Sequence, residues 1–204
     1  MKLIKKVSTV EVKRNFVVSQ LFTSKNIRKK GIKKYRPSRD VIIEKLPSAK
    51  KSILKLGERS LDKIIKTEDK KRLNAYNSFD WYLGEVALSE VKVWRKTGGL
   101  YKSWTDRVSL EKTVGKIKTE LKKDNSKLRR KRFFKPVSHI ILIKKILQKE
   151  KYLLPIVIPN GTYKNQTGGI KTVPWFLDDG CMRSLAYAVS GDKIIKVYIG
   201  IPKG

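Results

Sequence analysis

The chain has very few cysteine and histidine residues. One of each occurs among its 204 residues. A single cysteine excludes an intramolecular disulfide, and one cysteine with one histidine excludes every zinc-finger spacing. We therefore expect no structural metal site. A magnesium ion held by carboxylates and nucleotide phosphates stays open, because it needs neither residue type.

Long apolar runs are also absent. No stretch approaches the roughly 20 apolar residues that a helix needs to span a bilayer. The opening residues, MKLIKK, are not followed by the apolar segment of a signal peptide. These features predict a soluble cytoplasmic protein that has no membrane partner.

Acidic residues are scarce. The chain carries 49 Lys and Arg against 18 Asp and Glu, which gives a net charge of +31 and an isoelectric point near 10.3. A polyanion is the expected partner, and we favour DNA over RNA, as in a nucleoid-associated protein. Residues 136–204 hold 10 basic and 4 acidic side chains, so residues 1–135 carry +25 of the net charge. The sequence thus predicts a basic nucleic-acid-binding region (1–135) before a second domain (136–204).

Basic residues cluster in a few segments. Residues 25–39 hold eight Lys or Arg and no acid, and Gly31 and Pro37 break regular structure, which indicates an exposed arm. Residues 109–125 follow helical apolar spacing with lysines on the other faces, and the densest block, 127–135, comes next. The alternative is a merely solvated surface. The candidate nucleic-acid contacts are Arg28, Lys29, Lys30, Lys33, Lys34, Arg36, Arg39, Arg95, Lys96, Lys122, Lys123, Arg129, Arg130, Lys131 and Arg132.

Seven of the 18 aromatic residues fall between positions 76 and 104. Aromatic side chains beside lysine and arginine can stack on unpaired bases. The alternative, which is the commoner outcome, is that they form the core of the basic region. Trp94 is the expected exception, because the basic residues and two glycines after it indicate a mobile loop. The aromatic residues are Tyr76, Phe79, Trp81, Tyr82, Trp94, Tyr101 and Trp104.

The C-terminal third reads as alternating helices and strands. A helix is expected from His139 to about Glu150, then a strand over 153–158 that a Pro-Asn-Gly turn closes. A strand over 172–177, a short helix over 184–189 ended by Gly191, and a strand over 194–199 follow. This order predicts an α/β (α+β) mixed-sheet domain behind a basic mixed α+β region.

The segment 178–184, which we call the glycine turn, joins a strand to a helix. Gly180 permits a positive φ, and the N–H groups of Cys181, Met182 and Arg183 then point to one place, as in a phosphate site. The Arg183 guanidinium can clamp phosphate oxygens and Ser184 can add a hydroxyl. Two carboxylates, Asp178 and Asp179, are candidates for the catalytic base or magnesium ligand, and we favour Asp179. The alternative is an ordinary turn in which Arg183 pairs with Asp179 or Asp192.

The order of these elements, with LLPIVI before a turn and LDDGCMRSLAYAVSGDKIIKVYIG after it, resembles the ParB and sulfiredoxin superfamily over about residues 136–202. Gly180, Arg183 and Gly191 occupy the places of that superfamily's Gly-x-x-Arg turn and helix-ending glycine. Cys181 agrees with the cysteine of the sulfiredoxin branch, whereas Met182 replaces its histidine. The resemblance implies a site for a nucleoside triphosphate, ATP or CTP, with or without Mg²⁺, in a phage or plasmid protein.

Several functions stay open. One is an enzyme that hydrolyses or transfers phosphate at the glycine turn, of ATPase, kinase or nuclease type, on or near DNA. A second is a non-enzymatic DNA- or RNA-binding or regulatory protein with a vestigial nucleotide site. A third is a sulfiredoxin-like redox repair protein that uses Cys181, and a fourth is a basic ribosome-associated protein.

Overall fold

The computed structural model describes residues 1–23, 39–93, 100, 102–105, 108–123, 153–163 and 173–204. These residues form a mixed α/β structure in which seven α-helices surround one six-stranded mixed sheet. The predicted mixed α/β class is therefore confirmed at this level. Within the described residues, no helix is both long enough and apolar enough to cross a membrane.

The elements alternate along the chain. The helices are α1 (Thr9–Thr23), α2 (Arg39–Leu54), α3 (Glu58–Glu68), α4 (Lys70–Asn77), α5 (Lys102–Thr105), α6 (Leu110–Lys123) and α7 (Cys181–Val189). The strands are β1 (Lys2–Val7), β2 (Phe79–Ala87), β3 (Val91–Lys92), β4 (Ile156–Pro159), β5 (Trp175–Asp179) and β6 (Ile194–Pro202).

The sheet has the strand order β1-β2-β6-β4-β5-β3. β2 lies antiparallel to both β1 and β6, while β4 lies parallel to β6 and antiparallel to β5. β3 pairs with β5 in parallel. Three strands thus come from each side of the predicted division at residues 135 and 136, and they share one sheet. The division itself falls within 124–152, outside the described residues.

One face of the sheet is covered by α1 and α4. Trp81 of β2 lies opposite Gly200 of β6, and its ring meets Tyr76 of α4 edge-on at 5.1 Å between centroids. On the same face of β6, the Tyr198 hydroxyl donates to Glu11 Oε1 of α1 at 2.8 Å. These contacts hold both helices against the middle of the sheet, next to the end of β5.

The predicted elements of the C-terminal third are present where the structure describes them. Strands near 156–159, 175–179 and 194–202 share a mixed sheet as expected, and α6 confirms the predicted helix over 109–125. α7 begins at Cys181 rather than Ser184, because the Ser184 N–H already donates to Gly180 O at 2.9 Å. The helix expected from His139 lies outside the described residues.

β4 begins at Ile156, three residues later than predicted. The preceding carbonyl of Leu154 accepts from the Asn15 side-chain amide at 2.9 Å, which is a contact with α1. The Pro155 carbonyl accepts from the Tyr198 N–H at 2.9 Å. The Asn15 side chain therefore takes the Leu154 carbonyl, and Pro155 has no N–H with which to extend the strand.

Candidate functional site

The glycine turn has the backbone geometry that its sequence predicts. Gly180 precedes α7 with φ +84°, in the left-handed region that favours glycine. A Cβ atom at this position would lie 2.8 Å from Pro155 Cα and 3.0 Å from Pro155 Cβ. Glycine is thus required here twice, by its dihedral angle and by the close approach of the chain before β4.

Asp178 is fully buried, at 0% side-chain exposure. Its two carboxylate oxygens share the single Arg72 Nε–H, at 2.9 and 3.1 Å, and Oδ2 also accepts from the Tyr76 hydroxyl at 2.7 Å. The Arg72 guanidinium also lies 4.7 Å from the centre of the Phe16 ring. Both donors to the carboxylate come from α4, so Asp178 fixes that helix to β5.

The ionisation of this cluster follows from its burial. Burial, the largest single influence, lowers the pKa of Arg72, but the charge of Asp178, its hydrogen bond and the neighbouring tyrosines together outweigh burial, so the pKa lies above the usual arginine value. Burial and then the charge of Asp178 raise the pKa of Tyr76. Burial and the same carboxylate also raise the pKa of Tyr163. Asp178 is therefore surrounded by a cation and two phenols that stay protonated at neutral pH.

Asp179 lies in a second, adjacent group of polar side chains. Its carboxylate forms an ion pair with Arg183 one helical turn away. It also accepts from Ser19 Oγ at 2.7 Å and from Gln20 Nε2 at 3.2 Å, both on α1. The side chains of Asp179 and Arg183 are only 11% and 10% exposed. The structure thus contains the Arg183–Asp179 pair of the alternative interpretation, although it is buried and not on the surface.

The remaining residues of the glycine turn differ in exposure. Cys181 and Met182 are partly exposed, and the Sγ of Cys181, the one cysteine of the chain, lies 3.8 Å from Leu177 O. Ser184 is fully buried, and its Oγ has no hydrogen-bond partner within the described part of the chain. Arg183 Nη1 approaches Leu154 O at 3.5 Å. The turn therefore brings all seven predicted residues together and directs four of them inward, Asp178, Asp179, Arg183 and Ser184.

The residues of α1 and α4 that contact the glycine turn were not predicted from the sequence. Asn15 and Ser19 are buried, one helical turn apart, in a helix whose other neighbouring residues are largely apolar. Such a pair inside an apolar run is the signal that was available, because buried polar side chains require hydrogen-bond partners. No local pattern identifies Arg72, since its partner lies 106 residues later.

The cluster leaves little room for the chemistry that was predicted. A general base or metal ligand needs lone pairs that face a substrate. The Asp178 carboxylate is instead held by the Arg72 Nε–H and the Tyr76 hydroxyl, and the Asp179 carboxylate by Arg183 and α1. Among the described residues, no group of three or more His, Cys, Asp or Glu side chains could hold a metal ion. The arrangement is suited to fixing helices against the end of β5.

Most of the predicted nucleic-acid contacts lie outside the described residues. Arg39 begins α2, Lys122 is exposed on α6, and Lys123 ends the same helix. The others fall in residues 24–38, 94–99 and 124–152, namely Arg28, Lys29, Lys30, Lys33, Lys34, Arg36, Arg95, Lys96, Arg129, Arg130, Lys131 and Arg132.

The structure adds a basic surface on α3 and α4 that was not predicted. Three exposed cations, Arg59, Lys63 and Lys66, follow one another at helical spacing on α3. Lys70 is also exposed and begins α4, and we call these four residues the basic ridge. Two of the three acids of α3 are paired with buried Lys13 of α1, Glu58 at 2.8 Å and Asp62 at 2.6 Å. The inward pairing of these acids leaves the outer side of α3 strongly positive.

The aromatic stretch divides between core and surface. Tyr76, Phe79 and Trp81 are buried, and the rings of Tyr76 and Phe79 each meet the Trp81 ring edge-on, as the core interpretation predicts. Tyr82 and Trp104 are partly exposed. Trp94 and Tyr101 lie outside the described residues.

Comparisons with known proteins assign no family to this arrangement. The resemblance to the ParB and sulfiredoxin superfamily therefore stays a prediction from the residues of the glycine turn and their neighbours. Neither protein-family models, nor curated proteins, nor solved structures give a match to this chain.

Proposed function

We propose that this protein binds nucleic acid through its basic surface and has no phosphoryl-transfer activity. The observation that carries the proposal is the state of the glycine turn. Its arginine and both carboxylates are buried and engaged with one another or with α1 and α4. A clamp for phosphate needs donors that face the ligand, so the charges that the enzyme hypothesis requires are already used in holding the fold.

Charge segregation supports the binding role. The net charge of +31 far exceeds what solubility requires, and a surface of this kind gains affinity for a polyanion by releasing counterions. On α3 two acids face α1 through Lys13, whereas the basic ridge faces solvent. The three cations on one side of α3, with Lys70 after them, can contact the phosphates of a nucleic-acid backbone.

The basic ridge provides the first test. Replacing Arg59, Lys63 and Lys66 with Gln should flatten the slope of log affinity against log salt for duplex DNA by up to about 2.7, because each phosphate contact contributes about 0.9. The slope is measured by fluorescence anisotropy on a labelled duplex and on an RNA duplex of the same sequence. We expect weak dependence on base sequence.

A matched control separates local contact from net charge. Replacing Lys2, Lys5 and Lys6 of the exposed edge strand β1 with Gln removes the same three charges elsewhere. The ridge variant should change the slope more than this control does. Equal changes would mean that only the total charge matters, and an absence of duplex binding by the wild type would contradict the proposed function.

A nucleotide at the glycine turn is the second candidate, and one observation favours it. Gly180 has no side chain to cap α7, and its left-handed conformation lets the backbone come close to a ligand. A hydrolysis assay with ATP or CTP and Mg²⁺, with and without DNA, tests this candidate. Loss of binding in Arg183→Ala together with lost turnover in Asp179→Asn would favour the enzyme. Loss of activity in Cys181→Ser alone would favour redox chemistry.

A further inference from the structure

A surface groove lies between α5 and α6, and no residue of the glycine turn lines it. It has a volume of about 390 Å³ and is lined by Trp104, Lys112, Gly115, Lys116 and Thr119. This volume falls within the range of small-ligand pockets, about 300–1,000 Å³. Its lining combines one partly exposed indole with two exposed lysines. The groove is therefore apolar at one wall and positively charged at the other.

The groove has a defined shape because α5 is tied to α6. The Thr113 hydroxyl donates to the Trp104 carbonyl at 2.9 Å, and Lys116 Nζ donates to the Ser103 carbonyl at 2.7 Å. The four lining residues on α6 follow the spacing i, i+3, i+4, i+7, which places them on one face of the helix. The buried stripe of α6, which includes Val114 and Ile117, lies on the adjacent face.

Gly115 keeps the groove open. It lies inside α6, where glycine is the least favourable residue apart from proline. Among the described residues, no heavy atom lies within 4 Å of the position that its Cβ would occupy. Neither backbone angle nor packing therefore requires glycine here, in contrast to Gly180. What the glycine does provide is empty space beside Trp104.

We propose that this groove binds one unpaired base of a single-stranded nucleic acid, stacked on Trp104. The Lys112 ammonium is exposed at the rim, and Lys116 retains two further N–H donors after its bond to Ser103, so both lysines can contact the flanking phosphates. This inference rests on the proposed function and adds to it a preference for single strands. A paired base cannot enter, because its faces are covered by its neighbours in the duplex.

Substitution of Gly115 gives the sharpest test. Gly115→Gln should fill the groove and reduce affinity for a labelled 15-nucleotide oligothymidine about tenfold, the loss expected when one stacked base is excluded. Affinity for a 15-base-pair duplex should not change. The thermal midpoint should stay equal or rise, since Gln favours a helix over Gly. Gly115→Ala is the matched control, because it gives the same helical benefit with little added bulk.

Substitution of Trp104 tests the stacking partner. Trp104→Phe should retain most single-strand affinity because it keeps an aromatic face, whereas Trp104→Leu should lose about tenfold on the single strand only. If Gly115→Gln and the wild type bind the single strand equally well and both still bind the duplex, the groove proposal is contradicted and the proposed function is not. Equal losses on both substrates in Trp104→Leu would also overturn it, while binding of neither substrate by the wild type would contradict the proposed function as well.

Discussion

The glycine turn and the groove between α5 and α6 are both rich in charge, yet they use it in opposite ways. Around the turn, Asp178, Asp179 and Arg183 are buried or nearly so and meet partners from α1 and α4. In the groove, Lys112 and Lys116 stay exposed beside a partly exposed tryptophan. Chemically suggestive residue types therefore stabilise the interior at one place, and they are available to a ligand at the other.

The difference follows from the cost of removing a charge from water. An isolated buried carboxylate is strongly unfavourable, so it needs a cation and several hydrogen bonds around it. Arg72 and Tyr76 supply these for Asp178, and they do so only if α4 lies at the end of β5. The ion pair between Asp178 and Arg72 thus constrains the position of α4 relative to β5. Its disruption is the most direct test of the difference between buried and exposed charge.

Loss of the Asp178 charge should have the largest effect. Asp178→Asn keeps the shape of the side chain but leaves the Arg72 guanidinium, which is 19% exposed, without its counterion. We expect the free energy of unfolding to fall by about 3 kcal/mol, as for other broken buried pairs. Urea denaturation followed by circular dichroism measures this change.

An exposed ion pair provides the control for this variant. Lys6 and Asp80 lie 3.1 Å apart, but their side chains are 64% and 38% exposed. Asp80→Asn should therefore change stability by no more than about 0.5 kcal/mol. Similar losses in Asp178→Asn and Asp80→Asn would show that burial does not distinguish the two carboxylates.

Gly180→Ala should have the next largest effect. The added Cβ would combine an unfavourable positive φ with a 2.8 Å approach to Pro155 Cα, and we expect a loss of about 2 kcal/mol. Gly191 has φ +104° but open space around its Cβ position, so Gly191→Ala should cost only about 1 kcal/mol. Chemical denaturation compares the two variants. Equal losses of stability in the two variants would show that the contact with Pro155 adds no steric cost.

Local patterns predicted the elements of the C-terminal third well, for physical reasons that act over short distances. Apolar runs between turn residues gave β4, β5 and β6, and heptad-like spacing gave α6. The assembly of the sheet could not be predicted in the same way. β2 pairs with β6 over more than 100 residues of sequence, and only long-range packing selects that partner.

The glycine turn shows the same limit at the level of side chains. Its positive φ was predictable, because Gly180 has no Cβ. Whether Arg183 faces solvent or the interior depends on Ser19 and Leu154, which approach from distant parts of the chain. A sequence segment that can form a phosphate site is therefore indistinguishable from one that forms an internal ion pair until the positions of the neighbouring helices are known.

Alkaline pH should weaken the fold through its buried phenols. Burial raises the pKa of Tyr187 to about 12, and the pKa values of Tyr76 and Tyr163 are raised as well. The native state then keeps protons that the unfolded chain releases above about pH 10, so stability is fully present below pH 10 and is lost as the pH rises. A buried group such as Tyr76 contributes a slope of about 1.4 kcal/mol per pH unit.

Denaturation midpoints measured from pH 8 to 12 check this expectation. Tyr163→Phe removes one of the titrating groups and should make the decline in stability above pH 10 shallower. It should not make stability more dependent on pH near neutrality. A decline of equal slope in Tyr163→Phe and in the wild type would show that the Tyr163 hydroxyl does not contribute. Stability that stays constant up to pH 12 would contradict the whole effect.

Ser184→Ala should have the smallest effect on the free energy of unfolding. It tests whether a polar side chain inside the glycine turn is paired in the fold or available to a ligand. Ser184 Oγ is fully buried without a hydrogen-bond partner in the described residues, unlike its neighbours Asp179 and Arg183. Removing an unsatisfied hydroxyl relieves a desolvation cost, so the free energy of unfolding should stay within about 0.5 kcal/mol of the wild type or rise by about 1 kcal/mol. Urea denaturation measures the change. A loss above about 1 kcal/mol would mean that the hydroxyl has a partner in the folded protein, and the glycine turn would then contain no unpaired polar side chain for a phosphate to use.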